Sequence, residues 1–170
     1  MENGSGSGFF VSKNVIVTNF HVIENQSSGS VKIVSTEQEF YITNVLAIDE
    51  NKDLAILSVS KQDGTPLELS KNKDEAVGEK IYAIGNPNGL EGTFSEGNIS
   101  GIRNNVLYWD RLIQITAPIS PGSSGGPILN TEGKVIGIAV MQMKKGQNLN
   151  FVIPVSDLIN LMETNNIKTN

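Results

Sequence analysis

The stretch Ser120-Pro121-Gly122-Ser123-Ser124-Gly125-Gly126-Pro127 decides how the rest of the chain is read. Three glycines, two prolines and three hydroxyls stand in eight residues, between the β-rich runs 112–117 and 134–141. Neither a strand nor a helix can run through it, because glycine has little conformational preference and proline lacks a donor. It is therefore a tight loop that leaves several backbone N–H groups unpaired. A hydroxyl on such a turn, with N–H groups converging beside it, is how acyl-transfer enzymes present a serine nucleophile next to an oxyanion hole. An ordinary hairpin turn fits the same octapeptide, and the octapeptide alone does not separate the two.

Working outward, the 170 residues suit one compact unit or two small β subdomains. Glycine is frequent, with 17 residues, and the candidate strands are short, which favours an all-β fold with many turns. The net charge of −5 is spread without a basic block, which argues against nucleic acid or an anionic membrane as main partner. No apolar run approaches the roughly 20 residues that a membrane-spanning helix needs. With no cysteine and one histidine, thiolate and His-rich metal sites are not expected, and no cofactor is implied. Met1-Glu2-Asn3 begins no signal peptide, so the expectation is a cytoplasmic protein or a mature or truncated chain.

The Gly/Ser/Asn leader 1–8 runs into Phe9-Phe10-Val11, a turn at 12–14 and Val15-Ile16-Val17-Thr18, which reads as a hairpin. A single helical turn is expected over 19–23, then strands at 31–34, 40–42 and 46–48. Asp53 stands at the mouth of the apolar strand Leu54-Ala55-Ile56-Leu57-Ser58-Val59. The polar stretch 61–78 is the best linker, dividing the chain into 1–70 and 71–170. The second half carries further short strands at 80–85, 98–103, 106–109, 112–117, 127–129, 134–141 and 150–154, with no internal sequence repeat. A final helix opens at Ser156 as cap and places Leu158, Ile159, Leu161 and Met162 on one face.

A serine hydroxyl is a poor nucleophile at neutral pH and needs a base with a pKa near 7 within hydrogen-bond reach. The chain offers one imidazole, His21. That base in turn needs a partner to hold its tautomer and stabilise its cation, a role open to Asp53, with Asp49 as neighbouring rival. Ser123 rivals Ser124 as nucleophile in the same way. His21 packed in a core and Asp53 capping a strand end are the bland alternatives.

In that order the residues resemble the trypsin-like serine proteases of the chymotrypsin fold, in particular the HtrA/Deg type. The matching segments are Gly6-Ser7-Gly8-Phe9, Val17-Thr18-Asn19-Phe20-His21-Val22-Ile23, Asp53-Leu54-Ala55-Ile56-Leu57 and Ala83-Ile84-Gly85-Asn86-Pro87-Asn88-Gly89-Leu90. They continue through 121–127 to Asn150-Phe151-Val152-Ile153-Pro154. The resemblance implies an all-β fold of two antiparallel six-stranded barrels, His21 and Asp53 in the first and Ser124 in the second, closed by a C-terminal helix. It implies His21 as general base, Asp53 as its orienter, Ser124 as nucleophile, and N–H groups of Gly122, Ser123 and Ser124 as the oxyanion hole. The substrate would be an extended or unfolded polypeptide, held by strand addition along 141–143. A pocket of Pro118, Val140, Met141, Gln142, Asn150, Phe151 and Val152 would select small or medium aliphatic residues before the cut. A catalytically silent peptide-binding module and an esterase are the competing functions.

Departures from the pattern carry expectations of their own. Ser123 stands where digestive relatives carry an aspartate that pairs with a new N-terminus, so that activation route is closed. Regulation would then lie in loops 86–97 and 144–148. The family's first strand has almost no counterpart before Gly6, which leaves the first barrel with an open edge. Val140 aligns where many relatives place a hydroxyl beside the aspartate, so Asp53 is left to backbone donors. The PDZ domains usual in the family do not follow Asn170, and the family leans to the bacterial envelope or exterior. The oligomeric state is not legible.

Overall fold

The computed structural model describes residues 5–72, 75–86, 90–106, 109–142 and 150–169, with the side chains of 141 and 142 left aside. Eleven strands and two helices are resolved among them. The first half holds β1 (Phe9–Ser12), β2 (Val15–Thr18), α1 (Phe20–Ile23), β3 (Ser30–Lys32), β4 (Glu39–Asp49) and β5 (Leu54–Val59). The second holds β6 (Lys80–Gly85), β7 (Thr93–Val106), β8 (Trp109–Ile115), β9 (Pro127–Leu129), β10 (Val135–Gln142), β11 (Asn150–Pro154) and α2 (Val155–Thr164).

The first five strands form an open antiparallel sheet in the order β1-β2-β5-β4-β3, and the other six close into a barrel, β10-β11-β8-β7-β6-β9. The fold is thus mostly β, one half-barrel and one ring with a short C-terminal helix. β2 and β5 are buried along their whole length. Their unbroken apolar runs suit strands covered on both faces. Alternation sends Ile16, Leu57 and Val59, with Phe10 and Phe40, into the half-barrel's own core. Val15, Val17, Leu54 and Ile56 face the other way, into a core shared with Trp109, Leu112, Ile138, Val140, Phe151 and Leu158. A third cluster, including Ile81, Ile99, Ile113, Ile128, Ile136 and Val152, fills the closed barrel.

Three expectations change. The outer edge of β1 is not left open: the Gly64 and Leu67 N–H groups donate to the Lys13 and Phe10 carbonyls, both at 2.9 Å. The same segment then pairs with β10, through Val135 N–H to Glu68 O and Ser70 N–H to Val135 O at 2.8 Å each. The expected linker therefore laces the two sheets. The final helix starts at Val155, not after Ser156; Pro154, with φ −59°, ends β11 and turns directly into it. Proline's fixed φ suits that boundary, and Ser156 makes no capping bond. Strands β4 and β7 also run further than the sequence suggests, with bulges at 42–44, 45–47 and 99–101 that let them bend.

Candidate active site

The site begins where β2 ends. Asn19 is fully buried, and its side-chain amide donates to the Asp53 carbonyl at 2.9 Å, as Phe20 N–H does at 3.2 Å. Those two bonds fasten the single turn α1 to the residue before β5. Asp53 takes a left-handed backbone, φ 55°, which aspartate tolerates better than most side chains. Its carboxylate is thereby turned onto α1. Oδ1 accepts the His21 backbone N–H at 2.8 Å, and Oδ2 faces the His21 ring Nδ1 at 2.7 Å. A backbone donor thus supplements the ring, as the valine at 140 led one to expect. Asp49 is occupied elsewhere, its Oδ1 accepting the Lys52 N–H at 2.9 Å.

The Asp53 hydrogen bond and charge hold the His21 pKa above its ordinary value; partial burial opposes them and Glu24 adds slightly. The ring side chain is 47% exposed and the carboxylate 16%, so the imidazole stays open to solvent on the face away from Asp53. With Nδ1 donating to the carboxylate, the lone pair of the neutral ring lies on Nε2.

The loop of 120–127 comes from the other sheet and reaches the end of β2, where a Cβ on Gly125 would lie 3.1 Å from Asn19 N. Ser123 N–H donates to Ser120 O at 2.9 Å, with Pro121 and Gly122 between them and Gly122 at φ 96°. That is a type II turn, which wants proline and then glycine at its centre. Next, Gly125 N–H donates to Ala139 O at 2.8 Å and Ala139 N–H to Gly126 O at 2.9 Å, pinning the loop to β10. Gly125 sits at φ 88°, and a Cβ there would overlap the Ser7 carbonyl oxygen. Among the described residues the N–H groups of Gly122 and Ser124 have no partner. The Ser123 N–H is used within the turn, so it is not free for an oxyanion and drops out of the expected set. The Ser124 hydroxyl lies 3.4 Å from the Val140 carbonyl, a long contact, and no hydrogen bond joins it to the His21 ring.

The expected specificity residues separate. Pro118 is exposed and lines a cavity of about 140 Å³ with Ala83, Gly85, Thr93, Ser95 and Ser123. Val140 and Phe151 are instead in the core between the sheets, and Val152 is in the barrel core. Adjacent residues of β11 point to opposite faces, and both faces are covered, so neither Phe151 nor Val152 is left to line a pocket. Asn150 is buried and donates its amide to Ala117 O at 2.8 Å. Met141 and Gln142 continue β10 opposite Phe151 and Asn150, while their side chains, like residues 87–89 and the expected loop 144–148, lie outside the described residues. The same holds for residue 143 in the expected substrate-binding edge.

Two contributors were missed in the sequence. Ser7 reaches the loop directly, its hydroxyl donating to Gly122 O at 2.7 Å; only the flanking Gly6 and Gly8 hinted at so close an approach. Lys52, beside Asp53, has its carbonyl held by the Trp109 indole N–H at 3.2 Å and its ammonium 2.7 Å from Asp157 of α2. No local pattern announces a contact between residues so far apart in the chain.

The family model for the trypsin-like peptidase domain matches residues 6–138. Protease Do-like 1, chloroplastic, of Arabidopsis thaliana is 39% identical over 79% of this chain and 32% of its own length. The putative serine protease HhoB of Synechocystis sp. is 36% identical over 95% of the chain and 40% of its own length. The chain thus spans well under half the length of these curated relatives. Among solved structures, the HtrA-type protease AlgW with decapeptide superposes with a TM-score of 0.87 at 28% identity, covering 94% of this chain and 51% of that one. A serine endoprotease from Yersinia pestis follows at 0.81 and 28%, covering 94% and 57%. On sequence and on fold alike, the chain belongs to the trypsin-like serine proteases of the HtrA/Deg type.

Proposed function

We propose that this chain is a serine endopeptidase domain acting on extended or unfolded polypeptide, with His21 as base, Asp53 as its orienter and Ser124 as nucleophile. The observation that carries the reading is the double grip of the Asp53 carboxylate on His21, ring and backbone, together with a serine loop in which the Gly122 and Ser124 N–H groups have no partner among the described residues. In this mechanism Ser124 Oγ attacks the substrate carbonyl carbon while its proton passes to His21 Nε2. The developing oxyanion accepts from Gly122 and Ser124 N–H, and Asp53 stabilises the imidazolium. The imidazolium protonates the leaving amine, the C–N bond breaks, and water attacks the Ser124 acyl ester by the same route in reverse. The division at 1–70 and 71–170 belongs to this reading, each half bringing part of the triad.

A silent binding module is the second reading, favoured by the absence of a His21–Ser124 hydrogen bond and by the Ser124 contact with Val140 O. Such bonds are often loose before substrate binds, so proteolysis stands first. Intact mass after treatment with a fluorophosphonate decides between them. One adduct per chain, lost in Ser124→Ala, is expected; a folded wild type that takes none turns the assignment to binding.

For the residue before the cut we keep a small or medium aliphatic preference, since the cavity that Pro118 lines with Ala83, Gly85, Thr93, Ser95 and Ser123 has no carboxylate to attract a cation. Faster cleavage of Arg or Lys substrates than of Val or Ala ones in a fluorogenic peptide panel would sink that preference.

A further inference from the structure

Ser7 makes four hydrogen bonds, two of them to the turn carrying Ser124. Its hydroxyl donates to the Gly122 carbonyl at 2.7 Å and accepts the Asn86 N–H at 3.1 Å. Its own N–H donates to the Ser124 carbonyl at 2.8 Å, and its carbonyl accepts the Thr18 hydroxyl at 2.8 Å. A hydroxyl can do both jobs at once, as donor and acceptor. The surroundings leave little slack: a Cβ on Gly6 would come within 2.6 Å of Val22 and 3.0 Å of the Ser124 carbonyl.

The N–H groups of Gly122 and Ser124 have no partner among the described residues, and each of these residues has its carbonyl tied to this one serine. With Ser123 N–H held by Ser120 and Gly122 O held by Ser7, both polar groups of the 122–123 peptide are fixed. These bonds anchor the peptide that follows Gly122, and the Gly122 N–H, on the 121–122 peptide, is placed through that anchor and the turn.

We infer that Ser7 is a positioning residue for the oxyanion-binding N–H pair, its hydroxyl and N–H holding Gly122 and Ser124 in register. Through Thr18 it ties that pair to the strand leading to α1 and His21, and through Asn86 to the end of β6. The inference rests on the proteolytic reading above. It also makes a claim about backbone order that stands apart from activity.

The test compares wild type, Ser7→Ala and Ser7→Thr in their reaction with a fluorophosphonate. In that reaction Ser124 Oγ bonds to phosphorus, fluoride leaves, the serine proton passes to His21 and the phosphoryl oxygen occupies the oxyanion position. Ser7→Ala should lower the saturating rate about 10- to 100-fold, because misplaced donors fail in the transition state. The half-saturating concentration and the pH midpoint should stay near wild type, and Ser7→Thr should recover most of the rate. A residue that merely supports the fold would not produce that split. If Ser7→Ala does not fold, Ser7→Cys replaces it, since a thiol is a weak donor. A folded Ala or Cys variant reacting at the wild-type rate overturns the proposal. If wild type takes no label, the peptidase reading fails, and amide NMR still judges Ser7. Loss or broadening of the Gly122 and Ser124 amide signals in Ser7→Ala supports the clamp, and unchanged signals overturn it.

Discussion

In the proposed mechanism the chemistry hangs on the protonation of His21, and its raised pKa gives the direction of the expected pH dependence. Asp53 stabilises the imidazolium, so the pKa lies above the ordinary 6.5 of a histidine. The base must be neutral to take the Ser124 proton, so the rate should climb with pH and level off above that raised pKa. Asp53→Asn removes the charge and the strongest of the raising contacts. Its rising limb should move to lower pH while the plateau falls by about 10⁴, since an amide also favours the wrong ring tautomer. A pH–rate profile of both proteins checks this, and a limb that stays in place would disconnect Asp53 from His21. The pairing of His21 with Asp53 was legible because the chain has one imidazole and because an acid directly precedes an apolar strand. Val140, Phe151 and Val152 lie in packed cores for a physical reason. Alignment places a backbone, but which face each side chain meets depends on what packs there, and both faces of β11 are covered. Ser7 was quoted as part of a motif, yet a hydrogen bond to Gly122, 115 residues away, leaves no local trace.

At the scale of elements, the turn bearing Asp53 is braced from the opposite half. Trp109 of β8 holds the Lys52 carbonyl, and Asp157 of α2 holds the Lys52 ammonium, with its carboxylate only 14% exposed. Burial pulls the Lys52 pKa down, and the Asp157 hydrogen bond and the charges of Asp157, Asp110 and Asp49 more than offset it, leaving a net rise. Trp109→Phe keeps an aromatic ring in the shared core but deletes the indole donor. It should cost about 1–2 kcal/mol in urea unfolding, from a lost hydrogen bond and a small void. It should also slow fluorophosphonate labelling, because the Lys52 carbonyl it releases is one residue from Asp53. Lost stability with an unaltered labelling rate would show that the turn holds its shape without the brace. The C-terminal helix was legible as an amphipathic tail closing the core, and Leu158 and Met162 are buried there. Its start was not, because a proline at the end of a strand replaced the side-chain cap that the sequence seemed to offer.

For the whole molecule, the decisive feature is that the largest apolar core belongs to neither half alone. Phe9, Val11, Val17, Leu54 and Ile56 from the open sheet interdigitate with Leu112, Val135, Ile138, Ile153 and Leu158 from the barrel and helix. An all-β chain of short strands was legible from the sequence, and the resemblance supplied the two-barrel plan, of which the first half forms an open sheet. The lacing of the two halves by Gly64, Leu67 and Ser70 was not legible, because a polar, glycine- and proline-bearing segment reads as a free linker. Stripping the open sheet from the barrel would expose Leu54 and Ile56, both fully buried, and the half-barrel keeps only a small core of its own. The two halves should therefore unfold together. Calorimetry should give one transition, with calorimetric and van't Hoff enthalpies equal. Ile56→Ala should lower stability by about 2–5 kcal/mol through the cavity it leaves, and lower the midpoint without splitting the peak. Two resolved transitions, with only the first moved by Ile56→Ala, would mean that the sheets hold their structure independently. The His21–Asp53 pair could then separate from Ser124 while the rest of the chain stayed folded.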